Sequence, residues 1–499
     1  MEAPTRPGGV PIPQPGDPRF PWFCRRPTVR ILFYTDDNNV NLDPDVDANE
    51  FGVRILRDLL VGDVSDIAKF EITLLNRHNG GQAQQKLTST LLADFDQVWF
   101  FGVRLADSST QVDNELTNPE VAALKDWMTT GGVLMTGDHA NRHPDAPPPS
   151  RLFGLGRAIG YRVPRAGELR RWEGNPAQFD DGLQGTVTYN TQIPTGQADI
   201  VDLALQEDEW PQRLILKTYP VSAGGPLGST LPLEHRVHRL FCGRTAPIEV
   251  FPDHMHEGHL VIPETFPEST WPSGPTGQPL PEVIARGTDK RNGNIYDIVI
   301  AYDGSNAGAG RIVADSTWHH YFNVNLKGFP VGGGVRSQLA QFFVNLAFWL
   351  SPPAKREQIA CWLRWRLVHA PTVQMAFGNP RFVLGRAAAS VVRSRFGGPC
   401  TIRDILDPVL AGPAPPDALQ PPEELLLGGV LHAYLEAFER ADANQAVEAD
   451  EDTNALVVRG IRAAYDDFLA DLDQAAVSAR GARELLEEQL RRNGYGTAG

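Results

Sequence analysis

From residue 28 onward two rhythms of apolar and polar positions alternate. VRILFYT (29–35) is a short unbroken run of branched and aromatic residues, the pattern of a strand buried on both faces. NEFGVRILRDLLVG (49–62) returns apolar residues every three or four positions, the period of a helix that buries one face. FEITLLN (70–76), DQVWFFG (96–102) and VLMTGDH (133–139) repeat the first rhythm. LTSTLLADF (87–95) and NPEVAALKDWMTTGG (118–132) repeat the second. In the latter, Asn118 can cap the helix, Pro119 suits its first turn and Gly131 can end it. Strand and helix alternating at this spacing predict βαβ units and a parallel sheet, whose ligands bind at the carboxyl ends of the strands. The loops after Thr35, Gly102 and Gly137 therefore matter most.

The pattern loosens between 151 and 300. Short strand-like runs, GTVTYN (185–190), RLILKTYP (213–220), GHLVIP (258–263) and YDIVIAYD (296–303), are separated by Pro and Gly. They predict long insertions on the same sheet, or a small antiparallel layer. GRIVADSTWHHYF (310–322) returns to a strand and a polar turn, a helix over 336–350 follows, and SPP (351–353) stops it. Beyond that point only helical periodicity remains, divided by the Pro-rich GPAPPDALQPP (412–422).

The expected fold class is thus α/β, a doubly wound, mainly parallel sheet with long insertions, followed by an all-α domain. The expected organisation is a Pro/Gly-rich arm over 1–27, an α/β domain over 28–352 with its insertion at 151–300, and a helical domain over 353–499.

Composition narrows the partners. The 499-residue chain is 41 % hydrophobic and carries a net charge of −15, which argues against a nucleic-acid or anionic-membrane partner. The start of the chain has no apolar signal-like core, and LAQFFVNLAFWL (339–350), interrupted by Gln341 and Asn345, is too short to span a membrane and reads as a buried core helix. Cys24, Cys242, Cys361 and Cys400 lie far apart without a CxxC pair. That spacing argues against a zinc knuckle or a disulfide framework and suits a cytoplasmic location. From Lys355 to Arg403 basic residues dominate, and beyond Asp404 the balance turns acidic. The two halves either neutralise each other or offer a basic surface to an acidic partner, so docking of a protein partner or self-assembly through 353–499 is one expectation.

Candidate chemistry gathers at four places. FPDHMHEGH (251–259) sets His254 and His256 two apart, on one side of an extended segment, where an H-x-H pair can ligate a divalent metal such as zinc, with Glu257 as a base or supporting carboxylate. STWHHYF presents His319 and His320 after a strand. Adjacent residues in an extended segment point to opposite sides, so one of the two is expected to face a pocket. Asp138 and His139 sit on the turn after the fourth strand. Asp36 and Asp37 follow the first strand and, with Trp318, are candidate substrate contacts. Asp43, Asp45 and Asp47 alternate as in a calcium loop, but Ala48 and Arg54 stand where that loop needs Gly and Glu.

The segments VRILFYT, FDQVWFFG, WMTTGGVLMTGDHAN and GRIVADSTWHH together resemble the class I glutamine-amidotransferase-like superfamily and, within it, the ThuA-like (trehalose-utilisation) branch, over roughly residues 28–350. In that branch a Gly-Gly pair and a strand lead to a His-bearing turn, and a late Gly-Arg strand leads to another His. Amidotransferases of the fold carry a nucleophilic Cys on the turn after the strand that VLMTGDH resembles. Here the turn holds Gly137, Asp138 and His139, which removes the thiolate that glutamine hydrolysis needs. The combined expectation is a hydrolase- or lyase-like enzyme with Asp138, His139, Glu257, His319 and His320 as its acid–base groups. Its ligand is expected to be a polar small molecule, and the resemblance implies a sugar derivative. The alternative is a catalytically inactive scaffold that docks through its helical domain.

Overall fold

The computed structural model describes residues 24–35, 52–62, 66–76, 86–103, 118–137, 170–171, 212–221, 234–252, 259–260, 273–275, 277–288, 295–397, 400–410, 421–442 and 453–492. Its strands, in chain order, are β1 (Thr28–Thr35), β2 (Lys69–Asn76), β3 (Gln97–Val103), β4 (Gly132–Gly137), β5 (Arg170–Arg171), β6 (Gln212–Leu216), β7 (Thr218–Val221), β8 (Glu234–Val237), β9 (Val250–Phe251), β10 (His259–Leu260), β11 (Glu282–Thr288), β12 (Ile295–Asp303) and β13 (Arg311–Asp315). They belong to two compact units, one within Arg26–Tyr219 and Val237–Ile359, the other within Met1–Arg25, Pro220–Arg236 and Ala360–Gly499.

The first unit is built on a nine-stranded mixed sheet of order β2-β1-β3-β4-β13-β12-β11-β6-β9. The pairings β2-β1, β1-β3, β3-β4 and β4-β13 are parallel. From β13 to β9 every pairing is antiparallel. The run at 213–220 and the run at 296–303 therefore extend the main sheet as antiparallel strands, and β10 pairs with β5 in a separate ribbon. Four successive reversals bring β9 back to the direction of β13. The carboxyl ends of β1, β3, β4, β13 and β9 consequently share one edge.

The unbroken apolar runs follow from burial on both faces. Leu32, Tyr34, Val98, Phe100, Val133 and Ile312 enter one core cluster with Leu124 of helix Asn118–Trp127 and with Met128, which follows it. Their neighbours in sequence point the other way: Phe33 stacks on Trp99 at 5.2 Å and meets Phe101 edge-on at 5.3 Å. Tyr321 packs on Phe101 and on Phe343 of helix Gly334–Trp349. That helix is buried, as its sequence predicts, and its two polar interruptions have work to do. The Asn345 amide donates to the carbonyls of Leu240 and Cys242 at 3.0 Å each and accepts from Arg239 at 2.8 Å, while Gln341 accepts from Arg244 at 3.2 Å. A buried amide with every group paired fixes the path of the 239–244 segment.

In the second unit, helices Arg381–Val391, Glu423–Asp442 and Thr453–Arg492 pack together through glycine. A Cβ on Gly385 would lie 1.6 Å from the Glu424 carbonyl oxygen, and one on Gly428 would lie 1.8 Å from that of Arg381. Gly429 and Gly460 form a second close approach. The Gly428–Gly429 pair in mid-helix, costly by propensity, is explained by two backbone crossings on opposite sides.

Cys24 and Cys361 form a disulfide within the second unit, with Cα atoms 5.6 Å apart, and among the described residues no cysteine is free. This overturns the expectation of no disulfide framework. The partners are 337 positions apart, so spacing could not pair them. No described helix is long and apolar enough to cross a membrane.

Candidate functional site

β13 ends at Asp315, at the carboxyl edge, in line with the ends of its parallel neighbours. The chain then forms a 3₁₀ turn, Trp318–His320, capped by Thr317, whose hydroxyl accepts from the His319 N–H at 3.2 Å. This corrects the extended geometry expected for STWHH. A 3₁₀ turn advances each residue by about 120° rather than 180°, so His319 and His320 need not diverge, and both are buried.

Asp315 organises the turn. His320 Nδ1 lies 2.7 Å from Oδ1, the Tyr321 hydroxyl donates to Oδ2 at 2.9 Å, and the Thr317 N–H reaches Oδ1 at 3.3 Å. Burial, with the adjacent Asp315 carboxylate next in weight, pushes the Tyr321 hydroxyl well above its ordinary range, so it remains a donor. His319 Nδ1 lies 3.0 Å from Asn325 Oδ1. Both imidazoles are thus held through Nδ1 by a fixed oxygen. A carboxylate on one ring nitrogen sets orientation and tautomer and raises the basicity of the other, as in general-base and metal-ligating histidines.

Aromatic rings enclose the pair. The His320 ring lies 4.6 Å from the Phe251 ring, which packs on Phe342, and Trp318 is buried against His319 and Phe322. Trp318 was expected as a substrate contact; here it is a wall of the cluster, 2 % exposed. Phe251, the first residue of FPDHMHEGH, is the part of that stretch that touches His320 among the described residues. Asp36, Asp37, Asp138, His139, His254, His256 and Glu257 lie outside the described residues, as do the arm over 1–23, the run at 185–190 and the acidic loop at 43–48. Among the described residues no group of three or more His, Cys, Asp or Glu side chains is placed to hold a metal ion.

Sequence reasoning missed Asp315, Tyr321 and Asn325. Only the strand-final Asp before Ser-Thr carried a signal, as a residue type that bonds backbone N–H groups two positions on.

A second polar group lies at the opposite, amino edge. The Tyr219 hydroxyl donates to Glu282 at 2.8 Å, and Arg311 pairs with Asp303 at 2.6 Å. Burial raises the Asp303 carboxyl, but Arg311 and the Ser305 hydroxyl outweigh it and hold the group below the carboxylate range. Burial pushes His238 down to about 4 from 6.5. Above 6.5 neither folded nor unfolded chain protonates this ring. As the pH falls from 6.5 towards 4 the unfolded chain takes up a proton that the fold refuses, so stability drops. The loss is expected to reach about 3 kcal/mol. Urea unfolding at about pH 7 and about pH 4.5 should show a smaller difference for His238→Gln than for the native chain; equal differences would refute the assignment.

No family model, no curated protein and no solved structure matches this chain.

Proposed function

We propose that the protein is a hydrolase- or lyase-like enzyme that transfers protons to and from a polar small molecule at the carboxyl edge of its sheet, with His320 as the acid–base group and Asp315 as the residue that positions it. The observation that carries this reading is the Asp315 carboxylate, buried and shared by His320 and Tyr321, at a strand end where parallel sheets bind ligands. The parallel strands run in the order second, first, third, fourth, fifth, which supports the flavodoxin-like, amidotransferase-like reading of the fold. The sugar-derivative substrate comes from the ThuA-like resemblance. A zinc-type metal on His254 and His256 remains an expectation carried by the sequence, and the acid–base reading does not depend on it. The Cys24–Cys361 bond favours an oxidising compartment over the cytoplasm.

The scaffold alternative has one observation of its own: His319, His320 and Asp315 are all at most 2 % exposed, as in a purely structural network. Turnover separates the two. p-Nitrophenyl glycosides and esters report hydrolysis, and oligo-uronides report elimination through the ultraviolet-absorbing double bond it creates. The enzyme reading expects turnover by the native chain on at least one of these, falling about a hundredfold or more in His320→Gln. No turnover of any of them by a folded native chain would favour the scaffold.

A further inference from the structure

The helix Thr453–Arg492 is two structures in one. In its first half Leu456, Val457, Ile461, Ala464 and Phe468 are buried. From Leu469 onward it leaves the bundle, and roughly 36 Å of helix extends with most side chains exposed. Leu469 is 55 % exposed, Leu485 73 % and Leu486 56 %. Helices in proteins draw most of their stability from packing an apolar face, and a solvated helix has no use for leucines at helical spacing.

The apolar residues of this stretch keep a heptad rhythm along one face, all exposed but the half-buried Leu472, with Val477 and Leu485 lying off it. Leu469, Leu472, Ala476, Ala479 and Leu486 recur at intervals of three and four, with Arg483 at the remaining place. That seam fits a partner helix, and its charges say which. Asp473 follows Leu469 by four positions, and Arg480 follows Ala476 by four, so both flank the seam on the same side. If two copies of the helix lie antiparallel, with Ala476 of each opposite Ala479 of the other, Leu469 meets Leu486 of the second copy. Leu472 meets the aliphatic stem of Arg483, whose head group is already paired with Glu487 at 2.8 Å. In the same register Asp473 of each copy faces Arg480 of the other, twice across the two-fold axis. The alanines at the centre allow the close approach that this register needs.

We infer that the helix segment from Leu469 to Arg492 is a self-association surface that pairs two copies of this chain antiparallel, with Leu469 and Leu486 as its apolar anchors and Asp473–Arg480 as its charge register. Sedimentation of the full chain tests it. The native protein is expected at twice its 54.8 kDa chain mass. Leu469→Glu with Leu486→Glu should return it to one chain mass with unchanged far-ultraviolet circular dichroism, because both sites are exposed. Asp473→Arg alone, or Arg480→Asp alone, should weaken dimerisation about tenfold or more, and the double exchange should restore it. A native chain that stays monomeric, a dimer indifferent to the two Leu→Glu changes, or a double exchange that fails to recover would each overturn the inference.

Discussion

Asp315→Ala is expected to lower the unfolding free energy by about 3–5 kcal/mol, because it leaves several buried donors without an acceptor at about 1–3 kcal/mol each. Three donors converge on that carboxylate: the His320 ring, the Tyr321 hydroxyl and the Thr317 N–H. All three are buried and lose their acceptor at once. Asp315→Asn keeps the shape but presents an amide N–H₂ to one of the donors, so it should cost less stability while turning the His320 ring away from its working tautomer. The rate on any active chromogenic substrate should then fall about a hundredfold or more, although most of the fold survives. Tyr321→Phe is the control. It removes a single hydrogen bond and should cost about 1 kcal/mol. Urea titration of the three variants gives the ranking Asp315→Ala, Asp315→Asn, Tyr321→Phe; a Tyr321→Phe variant as damaged as Asp315→Ala would mean that Tyr321, not the carboxylate, organises the turn.

The second large effect concerns the disulfide. Cys361→Ser is expected to destabilise the chain by about 2–5 kcal/mol. Cys24 stands at the start of the described chain, and Cys361 lies in helix Pro353–Val368. The bond therefore closes a loop across 337 positions, and opening it releases a large unfolded ensemble. Reduction of the native chain should lower its thermal midpoint as the substitution does. If Cys361→Ser unfolds at the native midpoint, and reductant changes nothing, the bond does not contribute to stability in solution.

These expectations show where the sequence was readable. The runs at 29–35 and 96–102 and the described part of 133–139 declared themselves because those strands are buried on both faces; the run at 70–76, the half-exposed edge strand β2, declared itself through its branched and aromatic residues. Burial on both faces writes a continuous apolar word that neither turn chemistry nor insertion obscures. The helix over 334–349 was legible as buried, and its Asn345 and Gln341, which looked like interruptions, prove to be anchors for the 239–244 segment. The antiparallel half of the sheet was harder. β6 has only five residues and pairs with β11, which lies far along the chain and whose register with β12 is broken by bulges, so these partners are set by tertiary contacts rather than by local pattern. The Cys24–Cys361 bond was invisible for the same reason: only the fold brings positions so distant in the chain to 5.6 Å.

At the site, the strand-end position of His319 and His320 was readable, but their shared burial was not. Period-two reasoning assumes an extended chain, and Thr317 caps a 3₁₀ turn there instead. Asp315 was overlooked because a carboxylate that ends a strand looks like the first residue of a solvated loop. Its partners are enclosed by rings from separate segments: His320 lies against Phe251, which packs on Phe342, and Tyr321 lies against Phe101 and Phe343. Gly428 and Gly429 carry the same lesson for the helical unit. A glycine pair inside a helix reads as a weakness until Gly385 and Gly460 are seen to approach it from two sides.

The central claim, that His320 moves protons rather than merely filling the turn, is tested most directly by rescue. Replace His320 by glycine, which opens a ring-sized space beside Asp315, and measure turnover of the substrate that the native chain accepts, with and without added imidazole. The account predicts that His320→Gly loses about a hundredfold or more of the rate, and that imidazole restores part of it saturably, with less restored when Asp315 is also replaced by Asn. A His320→Gly variant that keeps the native rate, or one that stays folded and inactive at every imidazole concentration, would contradict it.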